Sequence, residues 1–178
     1  MKKVLLLIVF MAFVLTALGQ KTTALTTTGQ KTTSVGINLI KHYEGDKLKA
    51  YRDAGGIWTI GRGHTKGVKK GMVITEASSD AFLLQDIVEF EDYVNGKARR
   101  SLKWNERDAL VSFTYNAGYR LKGDLANAIN YSAPKTVAYL LRKYNKAKIG
   151  GVLKILPGLT KRRNSESLLY ENGELVLS

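Results

Sequence analysis

Two carboxylates and a hydroxyl within one short stretch have the types and the spacing for acid–base chemistry. Glu44 and Asp53 lie nine positions apart, and Thr59 follows six positions later. Two acids in unlike environments that face each other across a cleft can hydrolyse a glycosidic bond, since one protonates the leaving oxygen and the other activates water or stabilises the oxocarbenium ion. Spacing alone favours a plainer interpretation, because most acids are solvated surface charges.

A short helix is predicted to carry the first of these acids. Residues 34–44 place apolar side chains at helical spacing, and Gly45 is positioned to cap the C-terminus. Glu44 is therefore expected on the last turn, where the negative end of the helix macrodipole disfavours an ionised carboxylate. That environment suits a general acid, which must hold a proton until the bond breaks.

The second acid and the hydroxyl fall on a predicted β-hairpin. Residues 48–52 and 57–60 are rich in strand formers, and a short loop with two glycines separates them. Asp53, at the end of the first strand, is expected to stay ionised. Thr59 lies in the second strand, where threonine is also favoured for its strand preference alone.

Three segments, in this order along the chain, resemble the phage-type lysozymes (endolysins) of glycoside hydrolase family 24. Residues 44–65 read E-x8-D-x5-T followed by I-G-x-G-H-T, as in the active-site segment of that family. Residues 106–118, ERDALVSFTYNAG, look like its central core helix, and residues 156–166 look like its C-terminal PGL-x-x-RR-x-x-E segment. The match runs from about Val35 to Tyr170.

The resemblance implies an α+β, mainly α, lysozyme-like fold in which a long helix joins a small β-hairpin lobe to a helical lobe. In this sequence the long helix is predicted to follow its cap Thr75 and to end at Gly96, and a third short strand is expected within residues 65–71. Asn105 is expected to cap the buried core helix, with Asp108 at its third position. Further helices are predicted over residues 125–129 and 135–144, and a last one from Gly158 or Thr160.

The family's activity implies a function for this chain. It would be a muramidase that cleaves the β-1,4 bonds between N-acetylmuramic acid and N-acetylglucosamine in peptidoglycan and so lyses the bacterial wall. Glu44 would be the general acid, and Asp53 and Thr59 would hold the attacking water on the opposite face of the sugar, without a metal or cofactor. The alternatives are a lytic transglycosylase acting on the same bond and a non-catalytic wall-binding module.

The resemblance also assigns expectations to four other residues. Tyr115 and Asn116 align with a segment that faces the substrate cleft, although core packing and helix capping would equally suit them. His64 is expected to support the hairpin from behind rather than to act as a base. Arg62 departs from the aromatic or aliphatic residue that is common at this position, which is expected to change the rim of the cleft.

Residues 1–19 are interpreted as a secretory signal. Two lysines precede an apolar run over residues 4–18, and small residues precede a cleavage position near Gly19. The run is shorter than the ~20 residues that span a membrane. Export to the periplasm or the outside of the cell is therefore expected, with a signal segment that stays transiently tethered to the membrane as the alternative.

The remaining organisation is a linker and one domain. Residues 20–34 contain the second of two GQKTT repeats and little to bury, which is typical of a flexible linker, and residues 35–178 form the catalytic domain, expected to be monomeric. The chain has no cysteine, which excludes disulfides and thiolate metal sites.

The net charge of +13 indicates a polyanionic partner. No motif for nucleic-acid recognition accompanies this charge, so peptidoglycan and its envelope, rather than a specific nucleic acid, are the expected partner. No stable membrane anchor is expected after processing.

Overall fold

The computed structural model of the chain describes residues 30–53 and 55–178. The predicted signal segment and residues 20–29 of the predicted linker lie outside the described residues. Within them, the chain forms six helices and two antiparallel hairpins. In chain order these are α1 (Ser34–Glu44), β1 (Lys47–Arg52), β2 (Trp58–Gly61), α2 (Glu76–Lys97), α3 (Trp104–Ala117), α4 (Gly123–Tyr131), α5 (Pro134–Arg142), β3 (Lys146–Ile149), β4 (Val152–Ile155) and α6 (Pro157–Asn172).

The central helix α3 is buried on all sides, as its sequence predicts. Every residue from Asn105 to Thr114 is buried. Helices α1, α2 and α6 pack against it, and α5 packs against α6. Leu110 and Phe113 lie at the middle of the resulting apolar core and are fully inaccessible to solvent. A helix that is enclosed in this way fixes the positions of the elements around it.

The small lobe consists of β1, β2 and the chain that follows them. The predicted hairpin is confirmed, with Tyr51 opposite Thr59 in the ladder. The third strand predicted within residues 65–71 is wrong, because Gly67 and Gly71 adopt left-handed conformations and form turns there. Residues 72–74 instead lie beside β1, where the Ile74 amide donates to the carbonyl oxygen of Leu48.

The long helix α2 joins the small lobe to the helical part, as predicted. Thr75 caps its N-terminus by accepting a hydrogen bond from the Ser78 amide. The predicted end at Gly96 is wrong, since the helix continues to Lys97 and the Ala98 amide still donates to the carbonyl oxygen of Val94. Gly96 does not adopt the left-handed conformation that would have ended the helix.

The predicted cap of α3 is also wrong. The helix begins at Trp104, and the Glu106 carboxylate accepts the amide hydrogen of Lys103 at 2.8 Å. The Asn105 side chain donates instead to the last carbonyl oxygens of α6, those of Leu169 and Tyr170, at 3.0 and 2.9 Å. A residue with a helix-capping side chain therefore caps a different helix from its own.

Asp108, also on α3, caps the N-terminus of α1. Its carboxylate accepts hydrogen bonds from the Thr33 and Gly36 amides and from the Thr33 hydroxyl. Residues 30–33, which the sequence assigned to the linker, are thereby attached to the helical body. The Thr32 amide also donates to Glu91 on α2. An acid near a helix N-terminus is favoured by the free amides and by the macrodipole.

The C-terminal half contains one element that the sequence analysis missed. Strands β3 and β4 form a hairpin around Gly150 and Gly151, and α6 begins at Pro157 rather than at Gly158 or Thr160. The two helices before it, predicted over 125–129 and 135–144, occur as α4 and α5. None of the helices in the described ranges is long and apolar enough to cross a membrane.

Candidate active site

Glu44 is the last residue of α1, as predicted, and its carboxylate is held by an arginine from the far end of the chain. Arg162 on α6 donates from Nη1 to Glu44 Oε1 at 2.5 Å. The arginine side chain is only 3% exposed, and it also donates to Glu166 at 3.0 Å and to the Ser112 carbonyl oxygen at 3.1 Å. These bonds leave the guanidinium little freedom to move away from Glu44.

The charge on Arg162 persists despite its burial. Burial acts to lower the pKa of Arg162, but the carboxylates of Glu166 and Glu44 more than offset it, so the pKa is raised. A permanent positive charge against Glu44 stabilises the negative charge of its carboxylate. This influence opposes that of the helix terminus, which the sequence analysis considered alone.

A cavity of about 390 Å³ opens beside Glu44. Of the residues predicted for the site, Glu44, Tyr115 and Asn116 line it. Asp53 and Thr59 lie on the hairpin and are not among the described residues that line this cavity. The other lining residues are Gly63, Thr65, Lys66, Asp86, Glu89 and Phe90.

Asp53 lies at the turn of the hairpin, where its position is fixed by the backbone. Its Oδ1 accepts hydrogen bonds from the Gly55 and Ile57 amides at 2.9 and 2.8 Å. Within the described residues, no hydrogen bond reaches its Oδ2. The carboxylate is therefore oriented by one oxygen while the other is left to bind water or substrate.

Thr59 is buried in β2, with 3% of its surface exposed. Its hydroxyl donates to the Ile57 carbonyl oxygen at 3.1 Å, so its oxygen can accept a further hydrogen bond. Tyr51 lies opposite Thr59 in the ladder. Burial raises the pKa of Tyr51, and the negative charges of Asp53 and Glu44 raise it further, so both carboxylates act on the same phenol.

Tyr115 and Asn116 lie at the C-terminal end of α3. The Tyr115 hydroxyl donates to the Arg62 carbonyl oxygen at 3.0 Å, and burial, followed by the charges of Asp86 and Glu44, raises its pKa far above the usual range. Asn116 accepts a hydrogen bond at Oδ1 from the buried Arg163 at 3.0 Å. The amide nitrogen of Asn116 is left as a donor beside the cavity.

His64 joins the small lobe to α2. Its Nδ1 lies 2.9 Å from the Asp86 carboxylate, its Nε2 lies 2.9 Å from the Lys66 carbonyl oxygen, and its ring stacks on Phe82. Both ring nitrogens therefore lie within hydrogen-bonding distance of oxygen atoms. These contacts connect the hairpin with α2, and the supporting role of His64 stays a prediction.

The Arg62 side chain is held by two acids and a backbone carbonyl group. Its guanidinium pairs with Asp46 at 3.1 Å and Asp80 at 3.3 Å and donates to the Gly45 carbonyl oxygen at 3.2 Å. The side chain thus connects β2 with the loop after Glu44 and with α2. The effect of Arg62 on the cleft rim, or on how wall anions are met, stays a prediction.

Sequence reasoning missed four charged residues of the site, of which Lys66 follows the hairpin. Asp86 and Glu89 come from the cavity-facing side of α2, and Arg162 comes from α6. The spacing of two acids three positions apart places them on one helix face, which could have indicated a polar wall. No local pattern could have paired Arg162 with a residue 118 positions away. Within the described residues, no group of three or more potential metal ligands occurs.

The sequence is similar to endolysins from several phages. The profile of the family described as Phage lysozyme matches residues 41–166. The endolysin of Acyrthosiphon pisum secondary endosymbiont phage 1 is 37% identical over 139 residues, which cover 77% of this chain and 95% of the relative. Three further endolysins match over 54%, 53% and 62% of their own lengths, so the chain spans about half to two thirds of those proteins.

Solved structures agree with the fold. The endolysin from Escherichia coli O157:H7 phage FAHEc1 superposes with a TM-score of 0.76 at 33% identity, covering 84% of this chain and 97% of that one. The muramidase domain of SpmX from Asticaccaulis excentricus superposes with a TM-score of 0.75 at 31% identity, covering 79% of this chain and 97% of that one. The two-lobed, mainly helical lysozyme-like fold predicted from the sequence is thereby confirmed.

Proposed function

Because this chain belongs to the phage lysozyme family, we propose that it is a muramidase that cleaves the β-1,4 bonds between N-acetylmuramic acid and N-acetylglucosamine. The observation that carries the proposal is Glu44, an acid at a helix end on the wall of a cavity, held in place by a buried arginine. The polar lining of this cavity suits a sugar chain, which offers hydroxyl and N-acetyl groups on all sides.

Glu44 is the general acid of the proposed reaction. It transfers a proton to the leaving glycosidic oxygen and becomes a carboxylate in the same step. Arg162 lies at hydrogen-bonding distance from the oxygen that gains the negative charge. The arginine therefore stabilises the product of proton transfer, and it does so without reorganising because its other bonds already fix it.

Asp53 and Thr59 hold the attacking water. The Asp53 oxygen that accepts no backbone amide takes one hydrogen of the water, and the Thr59 oxygen, whose own proton is directed to Ile57, accepts the other. Water attack on the face opposite Glu44 inverts the anomeric centre. Inverting enzymes need a gap of roughly 6.5–9.5 Å between the two carboxyl groups, which leaves room for that water.

Tyr115 and Asn116 contribute to substrate binding in this proposal. The free amide nitrogen of Asn116 donates to an N-acetyl carbonyl oxygen, and the Tyr115 ring forms an apolar wall behind the sugar. Asp86 and Glu89 on α2 accept hydrogen bonds from sugar hydroxyl groups. Substitution of these groups would weaken binding more than it would slow bond cleavage.

The test compares purified bacterial walls treated with the wild-type protein and with Glu44→Gln. The amide has the same shape but no useful proton to donate, and general acid catalysis contributes about 10²–10⁴-fold. We expect loss of lysis with an unchanged melting temperature, whereas activity above roughly a tenth of wild type, well outside that range, would remove Glu44 from this role. Mass analysis of the released sugars distinguishes the alternatives: anhydromuramic ends alone would indicate a lytic transglycosylase, and no release would indicate a binding module.

We further propose that the protein acts outside the cytoplasm as a monomer after cleavage near Gly19. The apolar run at residues 4–18 and the charge of the chain support this location. N-terminal sequencing of the exported protein tests it. An intact Met1 in the membrane fraction would instead support the tethered signal segment.

A further inference from the structure

The hairpin formed by β3 and β4 exposes an unusual amount of apolar surface. We refer to residues 146–155 as the cationic hairpin. Every residue of β4 is exposed. Four large apolar side chains of this hairpin are about half exposed or more: Ile149 (49%), Val152 (58%), Leu153 (59%) and Ile155 (61%).

Lysines alternate with these apolar residues on both faces of the hairpin. The register places Lys148 opposite Leu153, and Ala147 opposite Lys154, with Ile149 opposite Val152. Residues that are opposite each other in an antiparallel pair share a face. Each face therefore carries both ammonium and apolar groups, whereas a hairpin that covers a core carries apolar groups on one face only.

The segment around the cationic hairpin contains no acid. From residue 143 to residue 165 the sequence has five lysines and two arginines and neither aspartate nor glutamate. The two arginines, Arg162 and Arg163, are buried against Glu166. The positive charge at this surface therefore comes from the lysines, which have no acidic neighbour in the segment to neutralise them.

Charge and hydrophobicity together select the partner. A second copy of the hairpin would bring lysines against lysines, and lysines on an edge strand oppose strand pairing. An anionic phospholipid surface suits both groups at once, because apolar side chains enter the interface while the lysine stems bend their ammonium groups toward the phosphates. A two-stranded hairpin that is marginal in water would be stabilised by that contact.

We propose that the cationic hairpin docks the protein onto anionic phospholipid membranes. The apolar residues at the tip, Ile149 and Val152, enter the headgroup region, and Lys148 and Lys154 contact the phosphates. This attachment is peripheral and reversible, and it is independent of the N-terminal apolar segment. It would hold the enzyme at the membrane face of the cell wall.

A local fluorescence probe tests insertion of the hairpin. The sequence has no cysteine, so Val152→Cys in the full chain can carry one environment-sensitive fluorophore. We expect a blue shift with vesicles of phosphatidylcholine and phosphatidylglycerol and none with phosphatidylcholine alone. Val73→Cys is the matched control, since this valine is 70% exposed but lies in the small lobe. A blue shift at both sites, or at neither, would overturn the proposal.

Charge variants test the lysine contacts with the same probe. Each lysine near an anionic surface contributes enough attraction for Lys148→Gln with Lys154→Gln to weaken vesicle binding by roughly thirtyfold. Lys69→Gln with Lys70→Gln removes the same charge from exposed positions of the small lobe, and we expect a much smaller loss. Equal losses of vesicle affinity in the two double variants would overturn the proposal, because only the overall charge of the protein would then matter. A blue shift of the probe that depends on protein concentration in the absence of vesicles would show self-association of the hairpin instead.

Discussion

At the scale of single residues, the site depends on how each polar group is held before substrate arrives. Glu44 is fixed by Arg162, Asp53 by two backbone amides, and Asn116 by Arg163. In each case one polar atom of the side chain accepts these hydrogen bonds, and the second polar atom is available for substrate or water. Because the side chains are already ordered, substrate binding does not have to pay the entropy of ordering them.

Thr59 could have a chemical role, in holding water, or only a structural one, since threonine also suits a strand. Substitutions at this position distinguish the two roles. Thr59→Val keeps the shape and the strand preference but removes the hydroxyl that is proposed to hold water. We expect wall lysis to fall by about 10²-fold or more while thermal unfolding changes little. Thr59→Ser retains the hydroxyl and should retain most activity, and lysis by the valine variant at the wild-type level would make Thr59 structural only.

A carboxylate at the same position offers an independent measurement of its location. Thr59→Glu places an acid nearer the reacting carbon, and a closer pair of acids favours attack by the carboxylate over attack by water. We expect mass spectrometry of this variant after incubation with walls to detect a sugar bonded to the introduced glutamate. Thr59→Gln, which cannot form this ester, is the control, and an unmodified glutamate variant would place residue 59 away from the sugar.

At the scale of elements, the ends of the helices are capped by residues from other helices. Asp108 on α3 binds the start of α1, and Asn105 binds the end of α6. Helix α1 carries Glu44 at its other end, so the cap at Asp108 sets the position of the proposed general acid through the length of the helix. Close packing at the cap should therefore affect both stability and activity.

Gly36 lies where α1 meets this cap, with no room for a side chain. A Cβ at residue 36 would lie 2.6 Å from Thr32 and 2.8 Å from Asp108. We expect Gly36→Ala to destabilise the protein by about 1–3 kcal/mol in chemical denaturation. Gly158→Ala is the control, because residue 158 lies in the first turn of α6 with open space around it, and it should change the free energy of unfolding little. Equal losses of stability in the two variants would show that close packing against Asp108 does not cause the effect at Gly36.

Glu106, in the first turn of α3, is expected to make the stability of the fold depend on pH. Burial acts to raise the pKa of Glu106, but hydrogen bonds from Arg100 and the Lys103 amide outweigh it, so the pKa lies below its ordinary value. A depressed folded-state pKa stabilises the fold above the unfolded-state value of about 4.3, and this stabilisation is lost as the pH falls.

We therefore expect Glu106→Gln to lower the free energy of unfolding at neutral pH. The difference from wild type should narrow as the pH drops below about 4.3, because wild type then loses the same charge. Denaturant unfolding at several pH values measures this. Glu174→Gln, at an exposed glutamate, should show no such narrowing, and a pH-independent difference for Glu106→Gln would assign its effect to packing.

At the scale of the whole molecule, the positive charge is predicted to act on encounter with the wall; the net charge is +13 for the full chain, and without Lys2 and Lys3 of the predicted signal it is +11 (26 basic against 15 acidic residues). This glycoside hydrolase belongs to a family of wall-lysing enzymes, and bacterial envelopes are polyanionic. A field of this kind speeds approach to a surface without changing bond cleavage, and salt screens it over about 10 Å at 0.1 M.

Activity on intact cells should therefore fall more steeply with added salt than activity on small soluble oligosaccharides. Turbidity loss measures the first, and release of reducing ends measures the second. The soluble substrate serves as the control within the same preparation, since it reports the chemistry alone. If the two activities fell equally with salt concentration, the positive charge would not act on the encounter with the cell surface.

What the sequence determined by itself was local. The helix that ends at Glu44, the hairpin with Asp53 and Thr59, and the burial of α3 follow from periodicity and turn residues within about a dozen positions. The β3–β4 hairpin was missed although Gly150 and Gly151 mark its turn, because each strand is only four residues long and β4, with three apolar residues around one lysine, lacks the alternation that identifies a strand.

Only the tertiary structure decided which distant groups meet. The pairing of Glu44 with Arg162, the cap that Asp108 provides for α1, and the capture of Arg62 by Asp46 and Asp80 join residues from separate elements. No spacing encodes such pairs, since they arise when packing of the apolar core brings helix ends and side chains together. The sequence therefore predicts candidates for the site, and the packing around α3 determines the charge that each of them faces.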